Sequence, residues 1–142
     1  MYNSTKKLFL TSLVTFTLLA SASAEDYVVV VNKNNKVNLT VKNVSRIFLG
    51  KMKSFPGGGQ AVPIIQKSAS DISKKFIKKI LRKRAAQYKS YWSKMVFTGK
   101  GNPPKEVEND DKTKELLSKN PNAIGIIKAS AVDDSVRVIT KF

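Results

Sequence analysis

The stretch "IIQKSASDISKKF", from Ile64 to Phe76, sets two hydroxyls and a cation at the start of a helical pattern. Ser68 and Ser70 stand where the helix should begin, Lys67 precedes them and Asp71 follows. A helix start leaves several backbone N–H groups unpaired and carries about half a positive charge. That combination holds phosphate or sulfate in many proteins. Ser68 and Ser70 would add hydroxyl donors, and Lys67 a full charge nearby. A serine here equally serves as a plain N-cap. Asp71 favours that plainer reading, because a carboxylate in the first turn satisfies the helix dipole and repels an anion.

Two other stretches carry similar chemistry. In "FTGKG", Phe97 to Gly101, the glycines permit close backbone approach, Thr98 offers a hydroxyl and Lys100 a charge. The stretch lacks the longer glycine spacing and the Lys-Ser/Thr pair of a P-loop, and it also reads as an ordinary loop leaving a helix. The helix expected over Ser70–Lys83 carries Lys74, Lys75, Lys78, Lys79, Arg82 and Lys83 on one face. Such a face can meet nucleic acid, anionic lipid or acidic polysaccharide, or can simply be solvated. Aromatic residues that would stack bases are absent from it, which argues against nucleic acid.

Composition narrows the classes. The chain has 142 residues, no cysteine, no histidine and a formal charge of +16. Without cysteine there is no disulfide framework, thiol nucleophile, thiolate metal site or cysteine-linked lipid anchor. Without histidine the commonest general base and metal ligand are missing. Asp110–Asp111 and Asp133–Asp134 are adjacent in sequence and do not define a facing acid pair. No catalytic constellation, metal site or cofactor site emerges, so a binding protein rather than an enzyme is expected.

The elements that must position these residues follow from periodicity. Residues 1–24 have the parts of a secretory signal: Lys6 and Lys7, an apolar stretch from Leu8 to Ala20, and Ala22-Ser23-Ala24 at the cleavage position. Removal would leave a single domain over 25–142, lower the charge to +14, and send it to the periplasm. "YVVVV" reads as a strand covered on both sides. Val44, Ile47 and Phe48 follow helical spacing, with Thr40 as N-cap and Gly50 as stop. "AVPII" is a second buried strand. Ile72, Phe76, Ile77, Ile80 and Leu81 form the apolar stripe of the Ser70–Lys83 helix. Tyr88, Tyr91, Trp92, Met95 and Val96 continue in another helix as core rather than ligand platform. "FTGKGNPPKEV" reads as a Gly/Pro loop. Asp110 and Asp111 open a helix carrying Leu116 and Leu117 that ends at Asn120, before Pro121. "AIGII" and "VRVIT" are the last strands. Buried strands alternating with helices predict an α/β layered domain with parallel pairing at its centre. In such sheets ligands sit outside the carboxyl ends of strands, where Lys67–Ser70 falls.

Three segments carry a resemblance. "VSRIFLGKMKSFPGGGQAVPIIQKSAS" resembles the I-F-L-G-K-I-x-x-W segment, turn and strand of periplasmic phosphate-binding proteins of ABC transporters. "NPNAIGII" resembles their P-G-A-I-G-Y segment. "YKSYWSKMVFTGKGNPPKEV" is similar to a sub-group of short, single-lobe relatives with a W…F-T-G-K-G-x-P-P pattern. Together the matches span about Val28 to Ile127. The resemblance implies one lobe of a type-2 periplasmic-binding-protein fold, a mixed, largely parallel sheet flanked by helices. It also places phosphate, or a similar small oxyanion, at the turn of Lys67, Ser68 and Ser70, with help from Thr98 and Lys100. In full-length relatives that turn reads R-S-D-G-S-G-T. Matched on its serine, Ser70 is kept, the glycine becomes Asp71, the threonine Ile72 and the arginine Gln66, with Lys67 adjacent. Full-length relatives close two lobes around phosphate, whereas this length suits one, so a membrane transporter or a second lobe from another chain is an expected partner. The other class of reading is a basic accessory protein that docks on a protein partner or an anionic envelope surface.

Overall fold

A computed structural model describes residues 25–142, so the expected signal segment lies outside the described residues. The valine run forms β1 (Tyr27–Asn32), buried at every position. Val29 and Val31 face one side of the sheet, Val28 and Val30 the other, and each side has its own apolar cluster. Burial of each valine contributes about 1.5–3 kcal/mol, which is why this run does not alternate with polar residues.

Helix α1 (Val41–Phe48) begins at Thr40, whose hydroxyl accepts from the Asn43 N–H while the Asn43 side chain accepts from the Thr40 N–H. It ends at Gly50, whose φ of 68° is open to glycine at little cost. Strand β2 (Val62–Gln66) leads through the Lys67–Ser70 turn into α2 (Asp71–Lys79), and α3 (Ala85–Phe97) follows. Then come β3 (Lys105–Val107), α4 (Asp110–Lys119), β4 (Ala123–Lys128), a 3-10 turn (Ala129–Ala131) and β5 (Val136–Lys141). All five apolar residues of the expected α2 stripe are buried.

The sheet runs β3-β2-β4-β1-β5. Its β3-β2-β4 half is parallel and its β4-β1-β5 half antiparallel, a mixed α/β sheet as expected. Helices α1, α2 and α3 cover one face, where Phe48, Phe76 and Phe142 meet edge to face at 4.7 and 5.3 Å. Leu117 of α4 seals the other face against Val30, Ile64 and Ile127.

Three local expectations change. The segment read as a Gly/Pro loop contains β3, paired in parallel with Ile64–Gln66. Helix α2 stops at Lys79 rather than Lys83. Ile80 and Leu81 stay buried while the backbone turns away through Arg82, which adopts φ 55°. Val96, expected on the buried stripe of α3, stands half in solvent.

Gly125, in the central strand β4, sets the distance between sheet and α4. A Cβ built there would lie 2.5 Å from Cγ2 of Thr113, which is fully buried. Gly125→Ala should therefore destabilise the protein by about 1–3 kcal/mol in denaturant melts. Adding Thr113→Ser, which removes that methyl and keeps the hydroxyl, should return part of the loss. A double variant no more stable than Gly125→Ala would show that the clash is not the cause.

Candidate functional site

The end of β2 fixes the turn. Gln66 is buried, and its side-chain N–H groups donate to Oδ1 of Asp110 at 2.6 Å and to the Ile126 carbonyl at 3.3 Å. The Ser73 hydroxyl donates to the Gln66 carbonyl at 2.7 Å, clamping the first turn of α2 to the strand it follows. The Lys67 N–H continues the β3 pairing by donating to the Val107 carbonyl at 3.1 Å.

Lys67, Ser68 and Ser70 thus lie together at the carboxyl end of β2. Ser70 is the N-cap of α2: its oxygen accepts from the Ser73 N–H at 3.4 Å, and its hydroxyl donates to the Lys67 carbonyl at 2.6 Å. An anion that used this hydroxyl as a donor would have to displace the second bond. Lys67 Nζ pairs with Glu108 at 2.9 Å, with both side chains more than half exposed. Such surface pairs contribute about 0–1 kcal/mol and open readily. Asp71 is exposed at the first helical position, whereas Ile72 is buried in the core. Of the side chains that the resemblance ties to anion binding, Ser70 is the one kept at the turn. Gln66, at the arginine position, is committed to joining elements.

Thr98 and Lys100 sit elsewhere in the helix order, at the carboxyl end of α3. The Thr98 hydroxyl donates to the Lys94 carbonyl at 2.7 Å, and the Lys100 N–H to the Met95 carbonyl at 2.9 Å. Carbonyls and the negative end of the helix dipole collect there, so the backbone itself offers nothing to an anion. The basic face of α2 is also less free than its sequence suggests. Lys75 and Lys83 place their ammonium groups over the rings of Tyr27 and Tyr91, at 5.2 and 5.1 Å from the ring centres.

Sequence reasoning missed a groove of about 900 Å³ beside the turn. Ser68 and Ala69, Val96 and Phe97 of α3, and Pro103 and Pro104 are among the residues that line it. Lys67, Ser70, Thr98 and Lys100 are outside its lining; Lys67 belongs instead to a smaller depression with Lys105, Glu108 and Lys112. The available signal was the pair Val96–Phe97. Phe97, five residues after Trp92, lies about 140° round the helix from it and so off the stripe that Trp92 defines. At the groove's base Trp92 and Tyr88 are buried, and Trp92 packs against Gly50 so closely that a Cβ there would stand 2.9 Å from its ring.

The mixed sheet with helices on both faces, and a helix starting at the carboxyl end of β2, is a fold shared with part of known binding proteins. Three solved structures carry this fold. The first is assigned as a phosphate ABC transporter substrate-binding protein, from Clostridium perfringens, with phosphate bound: TM-score 0.63, 23% identity, 82% of this chain and 44% of that one. The others are an ABC-type phosphate transport receptor from Vibrio cholerae (TM-score 0.59, 21% identity, 82% and 46%) and PstS from Borrelia burgdorferi (0.60, 14%, 82% and 47%). The chain therefore spans less than half the length of each. No protein-family model matches the sequence, and no curated protein matches it at a significant level.

Burial pushes the Tyr88 hydroxyl up to about 12, partly offset by the neighbouring Trp92 indole. Below pH 10 the group is neutral whether folded or unfolded. Between pH 10 and about 12 only the unfolded chain ionises it, so folding stability should fall across that window. Denaturant melts at stepped alkaline pH should show this fall, and Tyr88→Phe should flatten it. An unchanged slope in the variant would assign the loss to other groups.

Proposed function

We propose that this chain is an exported, non-enzymatic solute-binding protein that works in the periplasm and binds phosphate or a similar small oxyanion in connection with phosphate ABC transport. The observation that carries this reading is the start of α2 at the carboxyl end of β2. It combines Ser70, Ser68 and Lys67 in a lobe whose fold is shared with a protein that holds phosphate. The anion would lie against the N–H groups of the Ser68–Ser70 turn. Lys67 would swing from Glu108 to meet it, and Lys100 would add charge at longer range. Thr98 would help only by giving up its bond to the Lys94 carbonyl.

Binding at one lobe is expected to be weak. A single face gives about half of a closed contact shell and does not exclude water by closing. A second lobe from another chain, or a membrane transporter, would complete the shell. Asp71 weakens binding further, since its carboxylate repels an anion held one residue away.

These two side chains give opposite signs. Ser70→Ala should cost about 1 kcal/mol of stability through the lost cap and should also weaken phosphate binding. Asp71→Asn should lose a few tenths of a kcal/mol of helix stability, about 0.3–1, while tightening phosphate binding, more at low salt than at high salt. Calorimetry of the protein with phosphate and with sulfate at low salt, beside melting curves at millimolar phosphate, measures both effects. Absence of heat together with an unmoved melting temperature would sink the reading.

A further inference from the structure

The groove beside the turn has a chemistry that a bare oxyanion leaves unused. Phe97 is 92% exposed and Val96 52%. Both are large apolar side chains left in water at the end of α3, at a cost that burial under a ligand would recover. With Pro103 and Pro104 they line a groove of about 900 Å³, within the roughly 300–1,000 Å³ of small-molecule sites. Its charge is uneven: Lys74 and Lys89 line it against one carboxylate, Glu106. Trp92 also lines it, and among the described residues its buried indole Nε1–H meets no acceptor in good hydrogen-bond geometry, although the Tyr88 hydroxyl is its neighbour. A buried donor without a well-aligned partner is unfavourable. A second copy of this chain is a poor occupant, because two strongly basic surfaces repel. A purely apolar or cationic molecule leaves the lysines unanswered. An apolar body with an anionic group meets both features.

We propose that the ligand of this chain is an oxyanion with an apolar substituent, in the class of alkyl or aryl phosphates. Its head would lie at the Lys67–Ser70 turn and its apolar body in the groove. The proposal rests on the oxyanion reading of the turn and names the ligand class for that site. Ser68 joins the two regions, since it belongs to the turn and to the groove wall, so a head group held at the turn has the groove directly beside it. Lys74, on the first turn of α2, stands where it can reach the same head group.

The purified protein is titrated with inorganic phosphate, hexyl phosphate and hexylammonium, by calorimetry and by the emission of Trp92, the one tryptophan of the chain. Hexyl phosphate should bind about tenfold or more tighter than phosphate, given the apolar area it can bury. It should shift the Trp92 emission, and hexylammonium should do neither. In the variant Val96→Ser with Phe97→Ser, both changes on exposed positions, the advantage of hexyl phosphate over phosphate should vanish. Phosphate binding with no gain from the hexyl group overturns the proposal and leaves the oxyanion reading standing. Equal binding of hexylammonium, or an undiminished gain in the double variant, overturns it as well. No binding of either phosphate removes the oxyanion reading and this proposal with it.

Discussion

The side-chain amide of Gln66 is the junction on which the candidate site depends. Through Asp110 and the Ile126 carbonyl it ties the end of β2 to the start of α4 and to β4. The backbone carbonyl of Gln66 receives the Ser73 hydroxyl and so holds the first turn of α2. The same Asp110 oxygen accepts from the Lys128 N–H at 3.3 Å, which closes the link at the end of β4. Side chain and backbone of Gln66 together have partners on three elements and so specify one arrangement of them, since each bond left unmade would cost about 1–3 kcal/mol. The orientation of the Lys67–Ser70 turn relative to the sheet is a consequence of this junction.

That junction also explains what the sequence revealed and what it concealed. Strands β1, β2, β4 and β5 were legible because burial on one or both faces forces runs of Val and Ile. Helices α1 and α4 were legible from their caps, Thr40 and the Asp110–Asn120 boundaries, because capping is chemistry between near neighbours. Strand β3 was hidden because it is three residues long, follows two prolines and takes its order from pairing with β2. The end of α2 was misplaced because Ile80 and Leu81 keep the apolar stripe going after the backbone has left the helix. Side-chain burial and helical backbone are separate demands there, and periodicity registers only the first.

The candidate site was legible only in its local part. Lys67, Ser68 and Ser70 were found from local pattern, and they do meet in one turn. The role of Gln66 was invisible because its partners lie 44 and 60 residues away in sequence. The groove was invisible for a related reason. It is made by Ser68, α3 and the proline pair, three segments whose approach only the tertiary fold decides. The resemblance supplied the lobe architecture that the solved structures share, at identities of 14–23%. It could not supply the use made of Gln66 where the motif that the resemblance implies has an arginine.

Set beside the motif that the resemblance implies, the residues at the turn differ in a common physical direction. Gln66 for arginine removes a cation and spends the side chain on the fold. Ile72 for threonine exchanges a donor for core packing, and Asp71 for glycine adds a repulsive charge. Each change lowers the polar affinity available to a small anion, while the helix N-terminus and Ser70 persist. A site that loses polar contacts can keep useful affinity only if another term replaces them. In this lobe the two candidates are contacts from a second protein surface and apolar burial in the adjoining groove. The two differ in their thermodynamic mark: apolar burial carries a negative heat-capacity change that grows with the apolar area of the ligand. Completion by another polar surface would leave that quantity insensitive to the ligand's apolar part. If the proposed ligand binds, turn and groove act as one site, with few polar contacts at the turn and apolar side chains exposed beside it.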